Sequence, residues 1–281
     1  MKFADLHLHT KFSDGTFTPE ELVLRAQQNG LACIALTDHD SVEGCARASK
    51  ACAAVKMDFI PGAELTAEHN DIEVHILGYF LAITDEKFLA RIGMFQTVRQ
   101  NRIREMVAAL NKLGIPLKAE SVFALANCKS PGRPHVARAL VKENLIGSLD
   151  EAFERFLKKG RPAWVPKTKM SALEAVELIH RAGGLAVVAH PGLNRSDDII
   201  PDLVAAGMDG IECFHTKHST VMSERYLEIA DKYHLLVTGG SDCHGFSKKQ
   251  PLIGTVKLPY EHVEQMKAAR ENRKSKNGNR K

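Results

Sequence analysis

No run of eighteen or more apolar residues occurs in this 281-residue sequence, which argues against a transmembrane helix. No CxxC pair occurs among its six cysteines, so reduced thiols are the simplest expectation for all of them. Only Cys243, between Asp242 and His244, invites a ligand reading, and its side chain is expected to point away from its neighbours. Signal-peptide character is also lacking, because Met1-Lys2 leads straight into a strand-like segment. No short-period repeat is visible. These absences point to a cytoplasmic protein without a membrane role. Hydrophobic content of 44% and charged content of 26% suit an ordinary globular chain, long enough for one large domain or a domain with an insertion.

Excess charge is scarce outside one segment. The formal charge of +4 falls to −1 once Arg270–Lys281 is set aside, because that stretch holds six basic residues and one glutamate. The basic balance therefore belongs to "RENRKSKNGNRK", which reads as a solvated, disordered tail over residues 269–281.

What the sequence does have is an alternation of short apolar segments and helix-like stretches. Strand candidates lie at 2–9, 32–39, 58–65, 73–80, 185–191, 209–215 and 235–242. Between the first two, "TPEELVLRAQQNG" has Thr18 as N-cap, Pro19 at the first helical position and Gly30 as a stop. Repeated strand–helix units imply an α/β fold with a mostly parallel sheet. Residues 85–182 break the rhythm with helical patterns. The expected organisation is a barrel over 1–84 and 183–268, with a helical insertion over 85–182 lying above the active site.

Polar residues capable of chemistry sit at the ends of these apolar runs: His7, His9, His39, Glu64, His75, His190, Asp242 and His244. In barrels of parallel strands that rim is where active sites assemble. Two histidines two apart on a strand face one side, so His7 and His9 can converge on one ion. Together with Asp14 the set holds six histidines and three carboxylates, too many for one tetrahedral zinc. Two or three ions sharing bridging groups fit that count. Nitrogen and oxygen donors without thiolate suit zinc, manganese or iron. Three divalent ions against three carboxylates leave about +3, so the site favours an anion, and phosphate ester hydrolysis is the expected reaction.

The motifs "DLHLHTKFSDG", "LTDHD", "GAELTAE", "VHILGY", "AHPG" and "GGSDCH" resemble, in order from residue 4 to about 254, those of the polymerase and histidinol phosphatase (PHP) superfamily. The resemblance implies a distorted seven-stranded (β/α) barrel with a trinuclear site, manganese being preferred over zinc or iron(II). By that pattern His7, His9, Glu64 and Asp242 hold the first ion. Glu64 bridges to the second, completed by His75 and His190, and Asp14, His39 and His244 hold the third. No ligand position of the pattern is vacant. His7, His9, Glu64, His190 and Asp242 are thereby also the expected catalytic set, acting through a hydroxide that bridges the metals.

"RQNRIREMVAALNKLG" and "SPGRPHVARALV" further resemble the stand-alone branch containing 3′,5′-nucleoside bisphosphate phosphatases and 5′→3′ exoribonucleases. The expected substrate is a nucleoside 3′,5′-bisphosphate or a short 5′-phosphorylated oligonucleotide. Histidinol phosphate hydrolysis is the enzymatic alternative, and a metal-stabilised, non-catalytic module for phosphorylated termini is the alternative of another class. A second phosphate needs cations besides the metals, and Arg102, Arg133, His135 and His218 are the expected contacts. Asp38 is expected to support the ligands without being one.

Overall fold

Thr18 and Glu21 cap the first helix reciprocally. The Thr18 hydroxyl accepts from Glu21 N at 3.1 Å, and the Glu21 carboxylate accepts from Thr18 N at 2.7 Å. The computed structural model describes residues 1–166, 170–193, 197–247 and 250–278. Its first elements are β1 (Phe3–Asp5), α1 (Pro19–Gln28), β2 (Cys33–Leu36), α2 (Cys45–Ala54), β3 (Asp58–His69) and β4 (Ile72–Tyr79). Four helices follow: α3 (Glu86–Lys112), α4 (Ala119–Ala126), α5 (Arg133–Lys142) and α6 (Leu149–Ala152), the last running into a π-helical turn at Phe153–Leu157. The chain continues with β5 (Met170–Ser171), α7 (Ala172–Arg181), β6 (Leu185–Val188), α8 (Ile200–Ala205) and β7 (Gly210–His215). It ends with α9 (Thr220–Tyr233), β8 (Leu236–Gly240), β9 (Leu258–Pro259) and α10 (Tyr260–Gly278).

The strands form one sheet in the order β8-β7-β6-β4-β3-β2-β1-β9, with β5 paired to β3. It closes on itself where the segment after β1 meets β8. Leu6 N donates to Gly239 O at 3.1 Å, and His9 N donates to Cys243 O at 3.0 Å. This seam requires glycine at 240, because a Cβ there would lie 2.3 Å from His7 Cβ.

Within the mostly parallel arrangement expected, one of the seven anticipated strands runs the other way. β4 runs antiparallel to both β3 and β6, and two short strands, β5 and β9, add to the seven expected. The cause is a two-residue hairpin at Asn70-Asp71, both with positive φ (49° and 62°), as tight turns between twisted strands require. The reversal leaves the end of β4 away from the barrel mouth, where Tyr79 pairs with Leu185 and Ala82 N donates to Ala182 O. The 27-residue α3, about 40 Å long at 1.5 Å per residue, then climbs the outside of the barrel to the mouth.

The structure narrows the expected insertion of 85–182. Phe88, Ile92 and Phe95 of α3, and Ala175, Val176 and Ile179 of α7, are buried in the barrel's main core. A separate core begins at Ile103 and gathers Met106, Leu110, Val122, Val136, Leu140 and Leu157. The insertion's own packing unit is therefore about 103–165, held over the mouth by α3.

The expected disordered tail is also revised. Helix α10 buries Val263 and Met266 beneath β1 and continues to Gly278. Arg270 lies 5.1 Å over the Phe80 ring, and Arg273 pairs with the partly buried Asp209. Fixed partners for these two cations hold the first turn of the charge run, Arg270 to Arg273, on the barrel. Residues 279–281 lie outside the described residues. All six cysteines are free. Burial pushes the thiols of Cys33, Cys45 and Cys213 up to about 12, which keeps them protonated.

Replacing Gly240 by Ala should open the seam and lower unfolding stability by about 1–3 kcal/mol, measured by urea denaturation. An unchanged midpoint would contradict the close approach of β8 to His7.

Candidate metal centre

All nine expected ligands meet at the barrel mouth. Their donor atoms form four overlapping groups, each with members within 4.8 Å of one another: His9/Asp14/His39/His244, His7/Glu64/His190, His7/His9/Asp242 and His39/Glu64/His75. The partition implied by the sequence resemblance is kept in part, since His7, His9 and Asp242 stay together, as do Asp14, His39 and His244, and Glu64 Oε1 meets both His75 and His190, but other pairings overlap it. His75 falls with His39 and His190 with His7, while His9 reaches across to the Asp14 group. Antiparallel β4 explains part of the difference. His75 lies within the strand opposite Thr66, so it approaches Glu64 from the adjacent hairpin strand.

Glu64 stands at the centre. Its Oε1 lies 2.7 Å from His75 Nδ1 and 3.1 Å from His190 Nε2. Its Oε2 lies 2.9 Å from His39 Nδ1, 3.3 Å from His9 Nε2 and 3.4 Å from His7 Nε2. Asp242 Oδ1 is 3.2 Å from His9 Nε2, and Asp14 Oδ1 is 3.1 Å from His244 Nε2.

Several of these atoms are buried without a hydrogen-bond partner: His7 Nε2, both ring nitrogens of His9, Asp14 Oδ1, His39 Nδ1, Glu64 Oε2 and His190 Nδ1. Buried polar atoms are ordinarily satisfied, so a cluster of orphaned donor atoms of ligand type fits bound cations. The electrostatics agree. Burial opposes ionisation of Glu64, Asp14 and Asp242, yet neighbouring imidazoles hold all three well below the usual carboxylate range. Burial also opposes protonation of His75 and His244, but Glu64 lifts the first to about 9, and Asp14 and Asp242 lift the second to about 10. His9, by contrast, is lowered to about 3 by burial and by repulsion from His244. Without metal, protons on some imidazoles supply the positive charge that the carboxylates demand; a metal centre fits the same demand.

Backbone strain helps to aim the ligands. His190 and Asp242 adopt positive φ (28° and 51°), conformations that side-chain-bearing residues seldom take unless the surroundings enforce them. For His190 the enforcing contact is Glu212, a residue not singled out from the sequence. Glu212 Oε2 accepts from His190 N at 2.7 Å, and Oε1 accepts from His7 Nδ1 at 3.0 Å. The second bond places a proton of His7 on Nδ1, so that Nε2, turned toward the centre, is the nitrogen that would take an ion. The available signal was a carboxylate inside the apolar run "DGIECFH". Asp5 was missed in the same way. Buried beneath the seam, it accepts from Ser241 N at 2.8 Å and Gly254 N at 3.0 Å. Asp38 has the supporting position expected of it: it accepts from Thr10 N at 2.7 Å and from the Thr10 and Ser13 hydroxyls at 2.6 Å, bracing the loop between His9 and Asp14.

Beside the ligands is a cleft of about 140 Å³ lined by Asp14, His39, His75, Arg99, Arg102 and Arg133, among others. Arg102 and Arg133 thus lie where the sequence suggested. Arg99 is buried beside them, with Nε 2.6 Å from Asp40 Oδ2. Burial, then repulsion from Arg133 and Arg99, lowers Arg102 to about 10. His135 and His218 do not line this cleft. His135 is buried and its Nδ1 accepts from Gly132 N at 3.0 Å. His218 Nδ1 donates to Cys213 O at 3.0 Å, and its Nε2 accepts from Gly192 N at 3.3 Å. With both nitrogens committed to backbone, His218 braces the loop after His190. A larger cavity, about 580 Å³, lies between α3 and α7 on the barrel flank and includes none of the nine ligands.

Residues 5–183 match the family model described as the PHP domain. The chain is 34% identical over 248 residues to the 3′,5′-nucleoside bisphosphate phosphatase of Chromobacterium violaceum, covering 85% of this chain and 86% of that protein. It is 34% identical over 251 residues to the 5′-3′ exoribonuclease Rnm of Escherichia coli, covering 85% and 84%. Among solved structures, a predicted metal-dependent phosphoesterase from Bifidobacterium adolescentis superposes with a TM-score of 0.87 at 32% identity, covering 94% and 95%.

Chelation of divalent ions should lower the melting temperature, and readdition of manganese should restore it. Ions held at a hundredfold above their dissociation constant add about 2.7 kcal/mol; a melting curve indifferent to metal would contradict the site. Glu212→Gln should weaken metal affinity about 10- to 100-fold in competition with a chromophoric chelator. Unchanged affinity would remove Glu212 from the support of His7.

Proposed function

This chain belongs to the PHP domain family, and on that premise we propose that it is a metal-dependent phosphoesterase that removes the 3′-phosphate of nucleoside 3′,5′-bisphosphates. The observation that carries this reading is the crowding of Arg102, Arg133 and Arg99 in a cleft shared with ligand residues Asp14, His39 and His75. Guanidinium groups that repel one another beside a metal cluster make a seat for a second phosphate, and a substrate with two phosphates supplies it.

The nine residues His7, His9, Asp14, His39, Glu64, His75, His190, Asp242 and His244 would hold the ions, three in number, with manganese preferred. Bound divalent ions supply Lewis acidity to the phosphoryl oxygens and lower the pKa of water, giving a nucleophile at neutral pH. The protein's own residues do the rest. Glu64, in reach of five imidazoles, keeps the ligand rings converged. Glu212 fixes His7 and His190. Arg133 and Arg102 hold the phosphate that does not react, so that the other lies on the ligand cluster.

Water's oxygen bonds to phosphorus, the P–O3′ bond breaks, and O3′ takes up a proton as the nucleoside 5′-phosphate leaves. Release of mononucleotides from the 5′ end of short RNA breaks the same bond, with the remaining chain on the phosphoryl group. The resemblance to relatives of both names favours this as the second reading.

Manganese-loaded protein should release phosphate from a nucleoside 3′,5′-bisphosphate and mononucleotides from a 5′-phosphorylated RNA oligomer, with histidinol phosphate turned over at least tenfold less efficiently. Arg133→Ala should raise KM for the bisphosphate about tenfold or more, the cost of losing charge-assisted hydrogen bonds, with p-nitrophenyl phosphate affected less. Preference for histidinol phosphate would overturn the substrate class. Binding of phosphorylated termini without any hydrolysis would leave a binding module in place of an enzyme.

A further inference from the structure

Two cavities open from the ligand cluster, and Pro134 and Phe153 wall both of them. The first is the arginine-lined cleft. The second, about 320 Å³, is lined by Asp14, Asp242 and His244 on the ligand side and by Pro134, Leu149, Asp150 and Phe153 of the insertion. It is more than twice the size of the first and falls at the lower end of the range typical of small-molecule sites.

Resting on the phosphoesterase reading above, we propose that this second cavity seats the nucleobase of the substrate, with the Phe153 ring as its stacking face. A phosphate is a poor occupant. Arg138, the one arginine among the described residues lining it, already donates through Nη2 to Asp14 O and Ser247 Oγ at 2.6 Å each. The Asp150 carboxylate would repel an anion and can accept from the amino group of a base. A flat, apolar-faced ring with polar edges suits walls of Pro134, Leu149 and Phe153 with a carboxylate among them.

Phe153 is half-buried, packs against the insertion's own core, and opens the π-helical turn Phe153–Leu157. The wide turn is visible in the bond from Lys158 N to Phe153 O at 3.1 Å, spanning five residues. Such turns are rare and gather at functional sites. This one begins at the residue that divides the two cavities. A nucleoside 5′-phosphate can then straddle the site: base against Phe153, 5′-phosphate toward Arg133, and the 3′-phosphoryl group over the ligands. A free bisphosphate and the first nucleotide of an RNA chain share that unit. Because every base has a π-face, the seat should accept all four.

The test compares adenosine 3′,5′-bisphosphate with its base-free analogue, 1-deoxyribose 3,5-bisphosphate, on the manganese-loaded full chain. Phe153→Leu keeps an apolar group against the insertion core, and Phe153→Tyr restores an aromatic face. In Phe153→Leu the ratio of kcat/KM between the two substrates should fall about five- to a hundredfold, mainly through KM, and Phe153→Tyr should retain it. The dissociation constant of adenosine 5′-monophosphate, measured by calorimetry, should rise by a similar factor in Phe153→Leu. An unchanged ratio and unchanged mononucleotide binding would overturn the assignment, as would equal losses for both substrates. Absence of mononucleotide binding in the unmodified protein would overturn it too. Failure of the unmodified protein to hydrolyse either substrate sinks the phosphoesterase reading instead, and calorimetry still decides the seat.

Discussion

A single buried carboxylate surrounded by imidazoles organises this molecule. Glu64 is only 1% exposed, and its ion-pair partners among the described residues are His7, His9, His39, His75 and His190. An isolated carboxylate in that position would cost several kcal/mol in lost hydration. Five rings from four separate segments must therefore arrive together with positive charge, carried by protons or by metal ions. The barrel is the device that brings them: each strand or strand end places its side chain toward one mouth, and the closing seam at Gly240 presses β8 against His7.

The supports are as specific as the ligands. Glu212 restrains one ring and one strained backbone turn with its two oxygens. Asp38 holds Thr10 and Ser13, fixing the loop from His9 to Asp14, and Asp5 gathers backbone donors beneath the seam. None of these carboxylates needs to touch a metal to matter, because a ligand ring turned away from its ion contributes nothing. The reversal of β4 is a second-order consequence with a large effect. By ending that strand far from the mouth, it makes α3 long enough to return there, and α3 carries Arg99 and Arg102 to the site and the insertion above it.

Much of the candidate site was legible along the chain because ligand chemistry leaves local marks. Two histidines two apart after an apolar run, and carboxylates at the ends of others, are improbable as packing residues and declare themselves by type. Arg102 and Arg133 were singled out by their charge, and both line the cleft beside the ligands. His135 and His218 looked equally available, but their ring nitrogens had backbone partners that only folding could supply. Glu212 and Asp5 were overlooked because one carboxylate in an apolar strand does not reveal what it will face.

The sequence by itself determined the α/β class, the capped first helix and the identity of the residues that converge, since periodicity, capping and side-chain chemistry are properties of neighbours along the chain. Tertiary structure alone decided how those residues group, how the basic C-terminal segment docks and where the insertion begins to pack on itself. Each of these depends on contacts between positions tens to hundreds of residues apart. The Asn70-Asp71 turn shows the boundary between the two. That hairpin turns β4 around and brings His75 to Glu64 through contacts between near neighbours, whereas only the closed barrel brings His7 and His190 to the same carboxylate.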